Sequence, residues 1–323
     1  MNINTDRTSS PAFPKVAFLG PAGTYSHQCA RDKFGTNVEY VEQPNISAIF
    51  DVLSEEIPYA VVPQQNSTFG SVIETYDNLR RDDIGQRIHV KGEITISIQH
   101  CLAVRSGIRP EGIKRIVSHE QALGQCAQYL STHYPDAVRH KAPSTGQAAL
   151  SLLRSDEVGL DDESELQTKS AAICSVLCAK MNGLEIVQEN IQDRNNFTRF
   201  YVLSIDAEAK PPQLPESPQL FRALIRLESV HVEGHDLFAR RPLQLVMGTL
   251  LTTFGVPTTR IDRRPSLNST PFEDVYFIEL EELGAPDYSI DRSGVYASWL
   301  HKVHQMAERA RSSGVYATLL GVW

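Results

Sequence analysis

Few side chains in this 323-residue chain announce a chemistry on their own. His231 and His235 sit four apart, a spacing that puts two imidazoles on one helix face. Gly234 between them weakens a helix, and the order is not H-E-x-x-H, so no metal is expected there. Cys174 and Cys178, four apart in an apolar run, read as buried thiols on a helix. Gly20-Pro21-Ala22-Gly23 is only loosely like a phosphate turn, and no Walker loop, G-x-G-x-x-G or G-x-S-x-G is present. Other polar residues have structural explanations. Gln121 can close a capping box with Ser118, Asn66 can form a turn, Thr198 can sit at a strand edge and Arg199 can be a surface charge. What does stand out is a series of helix N-termini fed by short apolar strands. Such ends offer N–H groups and a positive dipole to an anion, so the indicated chemistry is capture of a small anionic molecule.

Those N-termini belong to strand-turn-helix units. Lys15 to Leu19 reads as a strand, and Thr24 can cap a helix carrying Tyr25, Ala30 and Phe34. Tyr59 to Val62 is a second strand, followed by Ser71 and Glu74 at capping-box spacing. Glu93 to Val104 reads as one long strand, Ile116-Val117 as a short one, and Ser118/Gln121 and Ser144/Gln147 as boxes opening two more helices. The run AAICSVLCAKM reads as helix, while Leu184 to Val187 and Arg199 to Ile205 read as strands. The alternation implies parallel-rich α/β layers, which bind ligands beyond the carboxyl ends of their strands.

Residues 1–14 read as a disordered tail without a signal-peptide core, and 155–165 as an acidic solvated loop. Residues 206–219 contain four prolines and read as a linker. Beyond it, 220–323 reads βαββαβ, the ferredoxin-like split motif, with its first helix at Pro242 to Phe254.

The length suggests about two domains. No stretch approaches the roughly 20 apolar residues of a membrane span. Lys and Arg total 31 against 39 Asp and Glu, a net charge of −8, so neither nucleic acid nor membrane is an expected partner. Five scattered cysteines are no disulfide framework and point to a reducing, cytoplasmic setting.

Six segments taken together are more specific: FLGPAGTYS (18–26), VPQQNSTFGSVIETYDNL (62–79), GEITISIQHCL (92–102), SHEQALGQC (118–126), AAICSVLCAKMNGL (171–184) and NNFTRFYVL (195–203). In this order they resemble the prephenate dehydratase family over residues 15–205, with Asn196 to Phe200 matching its N-x-T-R-F signature. The C-terminal module resembles the ACT domain that usually follows. The resemblance implies a two-lobed, periplasmic-binding-protein-like catalytic domain, with the chain crossing between lobes near 90–104 and 180–200. It implies decarboxylative dehydration of prephenate to phenylpyruvate without metal or other cofactor. It places catalysis on Thr198, Asn66 and Gln121, with Thr198 donating to the leaving hydroxyl. Ser67, Ser118, Arg199, Phe200 and the N–H groups near Thr24 are the implied substrate contacts. A homodimer or homotetramer is implied as well.

Departures are visible. The family's P-I-E-N-S reads Pro63-Gln64-Gln65-Asn66-Ser67 here, with neutral Gln65 in place of a carboxylate. The effector-binding G-A-L segment is replaced by Pro242-Leu243-Gln244, and Arg260-Ile261-Asp262-Arg263-Arg264-Pro265 stands for E-S-R-P. Asp262 and Arg264 are the residues left to hold a phenylalanine effector, and these changes weigh against such binding. Arg241, Arg260, Arg263 and Arg264 read more simply as a solvated basic face. Two other readings compete: an arogenate dehydratase, and a non-catalytic protein that binds a small molecule.

Overall fold

The computed structural model describes residues 13–153, 169–209, 220–229, 248, 254–267, 273–283 and 292–323. The acidic loop 155–165, the His231/His235 pair, Arg241, the Pro242-Leu243-Gln244 segment, residues 1–12 of the tail and 210–219 of the linker lie outside them. So does all but Gly248 and Phe254 of the helix expected at Pro242 to Phe254.

The chain begins with β1 (Lys15–Leu19), α1 (Tyr25–Phe34), β2 (Glu39–Gln43), α2 (Ile46–Val52), β3 (Tyr59–Asn66), β4 (Gly70–Ser71), α3 (Ile73–Asn78) and β5 (His89–Ser97). It continues through β6 (His100–Val104), β7 (Arg115–Ser118), α4 (Glu120–Gln125), α5 (Ala127–His133), β8 (Val138–Lys141) and α6 (Thr145–Ser151). Then come β9 (Ser170–Ser175), α7 (Val176–Met181), β10 (Glu185–Glu189) and β11 (Phe197–Ser204). The C-terminal module contains β12 (Leu220–Ser229), β13 (Thr258–Pro265), β14 (Asp274–Leu283), α8 (Arg292–Ser312) and β15 (Val315–Val322).

Two sheets define two lobes. The second lobe carries the order β10-β6-β9-β7-β8; the first runs β5-β11-β3-β1-β2, with β4 beside β3. The expected single strand from Glu93 to Val104 is in fact two, because Ile98 and Gln99 carry the chain from one sheet to the other. The chain returns between β10 and β11. Each sheet is therefore mixed. Its βα units pair in parallel, and the crossing strands enter antiparallel.

Ala171 to Ser175, expected as helix, belongs to the central strand β9, buried at every position. A strand covered on both faces is apolar throughout, so its periodicity looks the same as that of a buried helix. Cys174 therefore sits on a strand and Cys178 on a helix, and both thiols are buried and free.

Caps explain several boundaries. Thr24 caps α1, accepting from the His27 N–H, and Ser144 caps α6, accepting from Gln147. The other two boxes do not form. Ser71 is held in β4 and its hydroxyl reaches Asp262, while Glu74 accepts from the Ser47 N–H at 3.2 Å. His119, not Ser118, caps α4, because Ser118 is the last residue of a buried strand.

The C-terminal strands lie in the order β13-β14-β12-β15, the 2-3-1-4 arrangement of the split βαβ motif. This sheet joins the first lobe edge to edge through Gly321 and Val90. Only glycine permits that approach, because a Cβ on Gly321 would collide with the Val90 carbonyl oxygen. The two modules also share a core, in which Leu224, Phe277 and Leu320 pack with Tyr76, Ile84, Ile88, Val90 and Tyr201.

Candidate active site

β11 lies between β3 and β5, and its pairing sets Thr198 opposite Asn66. The Asn66 side chain has one possible orientation. Its Oδ1 accepts from the Thr68 and Phe69 N–H groups at 2.9 and 3.1 Å. Its Nδ2 therefore donates, with Asn196 Oδ1 at 2.7 Å, Thr198 Oγ1 at 3.0 Å and the Phe197 carbonyl at 3.2 Å within reach of its two hydrogens. Two consequences follow from donor and acceptor counting. Thr198 Oγ1 is an acceptor in this bond, so its own proton is left to donate elsewhere. Asn196 turns its carbonyl to Asn66, so its Nδ2 is a donor, and it is buried with no partner among the described residues. A buried donor left unpaired costs about 1–3 kcal/mol, a cost that a ligand oxygen would remove. Ser67 completes the cluster: its Oγ accepts from the Phe197 N–H at 2.9 Å, leaving its proton free.

Arg199 does not join this cluster. Alternation along β11 turns it to the opposite face, where it pairs with Glu279 at 3.2 Å and approaches Glu93 at 3.9 Å. Phe200 shares the Thr198 face but is buried in the core with Phe18, Ala30 and Ile94. The structure thus sets Arg199 on the joint with the C-terminal module and Phe200 in the core, apart from the Asn66–Thr198 cluster. The Ser118 hydroxyl is buried and donates to the Ile173 carbonyl at 2.7 Å.

The N–H groups around Thr24 are also committed. Ala22 donates to Glu42 at 2.7 Å, Gly23 to His27 Nδ1 at 3.0 Å and Thr24 to the Pro21 carbonyl at 3.2 Å. The Thr24 hydroxyl donates to the Leu19 carbonyl at 2.9 Å. Burial, with Arg31 nearby, lowers the His27 pKa, in keeping with a neutral ring that accepts. Here the lobes touch: Ser175 donates to the Gly23 carbonyl at 2.8 Å.

Gln121 is exposed on α4 and makes no side-chain hydrogen bond to the cluster. Gln125, one turn further on, faces the lobe junction instead. Its Oε1 lies 2.6 Å from His100 Nε2, and His100 Nδ1 lies 2.9 Å from Tyr25 Oη. Burial lowers the His100 pKa and raises that of Tyr25 well above its ordinary value. The sequence reading named Asn196 only as part of the signature and Tyr25 only as part of a helix, and did not single out Gln125 or His100, although all four fall within the six quoted segments.

A family model described as prephenate dehydratase matches residues 16–208. The chain belongs to the prephenate dehydratase family. The bifunctional chorismate mutase/prephenate dehydratase of Stutzerimonas stutzeri is 31% identical over 267 residues, covering 82% of this chain and 64% of that protein. The chain thus spans less than two thirds of that relative's length. Arogenate dehydratase 3 of Arabidopsis thaliana is 29% identical over 276 residues, covering 83% of this chain and 60% of its own. The solved prephenate dehydratase of Arthrobacter aurescens, in complex with L-Phe, superposes with a TM-score of 0.70 at 25% identity, covering 95% of this chain and 89% of that one.

Within this family the departure at Gln64-Gln65 acquires a physical meaning. Gln65 Oε1 accepts from Arg260, whose guanidinium also holds Asp262 and Ser71 and lies over the Tyr76 ring, 5.4 Å from its centroid. Arg264 pairs with Asp77 at 2.7 Å. Arg260 and Arg264 are therefore not a solvated face; of the described basic residues there, only Arg263 is well exposed. Asp262 and Arg264, the expected effector ligands, spend their charge on joining β13 to the first lobe.

Proposed function

We propose that the chain converts prephenate to phenylpyruvate, carbon dioxide and water in phenylalanine synthesis. The ring carboxylate leaves as carbon dioxide, and its bonding electrons flow into the ring. Hydroxide is expelled from the opposite carbon and takes up one proton to become water. Aromatisation supplies the driving force. The protein must hold a dianion and stabilise the departing oxygen.

One observation carries this reading: Asn66 donates to Thr198 Oγ1 at 3.0 Å, which leaves the threonine proton available as a donor to the leaving hydroxyl. A placed donor of this kind typically contributes about 10²–10⁴-fold in rate. Asn196 Nδ2 supplies a second preorganised donor beside it, for a substrate oxygen. Gln121 and Gln125 stand on the second lobe and would meet the substrate as the lobes close. Absorbance of phenylpyruvate formed from prephenate by the purified chain tests the reading; no turnover would overturn it. The Arabidopsis relative supports arogenate as a second substrate, and kcat/KM on both compounds decides between them.

The C-terminal module is read as an ACT-type domain, supported by its strand order, and as a contributor to a homodimer or homotetramer. Sedimentation showing only monomer at micromolar concentration would remove that assembly. Asp262 and Arg264 are already paired, so L-Phe would need other partners in this chain. Five buried free cysteines support a cytoplasmic enzyme.

A further inference from the structure

The register between β3 and β11 contains an irregularity beside the catalytic pair. Thr198 faces Asn66 and Arg199 faces Gln65, but Phe200 faces Pro63, leaving Gln64 as an extra residue on β3. This is a β-bulge, a device that re-aims side chains next to active sites. Regular alternation would turn Gln64 and Asn66 to the same face. Instead Gln64 and Gln65, although adjacent, both reach the C-terminal module, through Glu279 and Arg260, and Asn66 reaches Thr198 on the other side.

Gln64 is fully buried. Its Nε2 lies 2.9 Å from Tyr201 Oη, 3.1 Å from Tyr76 Oη and 3.3 Å from Glu279 Oε2. Tyr201 donates to the same carboxylate at 3.4 Å, while Gln64 Oε1 is buried with no partner among the described residues. Glu279 is itself buried and fixed by Arg199 at 3.2 Å and Thr259 at 3.3 Å. On the backbone, the Gln64 carbonyl accepts from the Val72 N–H at 2.8 Å, extending the β3–β4 pairing by one position. A fully buried glutamine thus faces a buried carboxylate contributed by the other module.

We propose that Gln64 is a positioning residue: Glu279 of the C-terminal module pins the Gln64 bulge, and the pinned bulge holds Asn66 against Thr198. Without the tie, β3 relaxes toward regular pairing. A one-residue slip exchanges the faces of every side chain beyond it, which withdraws Asn66 from the threonine. The C-terminal module thereby forms part of the catalytic scaffold even with no effector bound. The kinetic readout rests on the prephenate reading above.

The test uses the full chain with Gln64→Leu, Glu279→Ala, Glu279→Gln and the Leu/Ala double variant. Each is assayed for kcat and KM with prephenate at a temperature where circular dichroism shows it folded. Gln64→Leu and Glu279→Ala should each lower kcat by up to about 100-fold, the cost of a small misplacement, with KM little changed. The double variant should be no worse than the poorer single one. Glu279→Gln should recover most turnover, because its amide oxygen still accepts from Gln64. Wild-type kcat in folded Gln64→Leu, or losses that multiply in the double variant, overturns the proposal. A crystal structure of Gln64→Leu reads the bulge without reference to activity, and so separates this proposal from the prephenate reading. Loss of the Asn66–Thr198 hydrogen bond supports the proposal, and its retention overturns it.

Discussion

Replacing Asn196 with Asp isolates the unpaired donor. The substitution keeps the side chain's shape and its Oδ1, so Asn66 Nδ2 still has the acceptor that it now meets at 2.7 Å. Only the buried Nδ2 changes, from a donor to a second oxygen. Hydrogen bonds to charged groups contribute about 1.5–3 kcal/mol, equivalent to roughly 10–150-fold in kcat/KM. Repulsion between the new carboxylate and a dianion adds to the loss. Burial raises the pKa of such a carboxylate, and once protonated it donates again. The variant's deficit relative to wild type should therefore shrink as pH falls from about 8 toward about 5. Initial rates with prephenate at a series of pH values measure this, and thermal unfolding checks that the fold survives. Wild-type kcat/KM for Asn196→Asp at the alkaline end of the series would refute the assignment of Nδ2 to a substrate oxygen.

Other outcomes follow from the same structure. Gly321→Ala puts a methyl group into the Val90 carbonyl and should destabilise the chain by about 1–3 kcal/mol or more; an unchanged denaturant midpoint would contradict the edge-to-edge joint. Ser118→Ala should cost about 1 kcal/mol of stability, from the hydroxyl's bond to Ile173, with KM for prephenate unaltered. His27 and His100 have lowered pKa values, mainly through burial, so the unfolded chain binds the extra protons. Their stabilisation is full above an unfolded pKa of about 6.5 and declines as pH falls below it. Urea midpoints at about pH 7.5 and about pH 5.5 should show that decline, and His27→Gln should reduce it; identical slopes would exclude the histidine's part.

Much of the architecture was readable because it is local. Thr24 and Ser144 each cap the helix that follows through a hydrogen bond three residues long, and such spacing is visible in a sequence. Asn66 and Thr198 were both singled out, yet their contact spans 132 positions and depends on the strand pairing. The direction of Arg199 was open for the same reason. Alternation shows that it opposes Thr198, but not that Glu279 waits on that side. Ala171 to Ser175 misled because a strand buried on both faces loses its period of two. The bulge at Gln64 left no local trace: two adjacent glutamines look like a polar turn until Tyr76, Tyr201 and Glu279 surround one of them. Arg260 and Arg264 read as surface charges because their partners, Gln65 and Asp77, lie far back along the chain.

The role of the threonine hydroxyl is tested most directly by comparing kcat for prephenate in wild type, Thr198→Ser and Thr198→Val. Serine keeps the hydroxyl that accepts from Asn66 and donates onward, whereas valine keeps only the shape. Serine should retain most of the turnover, and valine should lose about 10²–10⁴-fold. A folded Thr198→Val enzyme turning over at the wild-type rate would contradict that role.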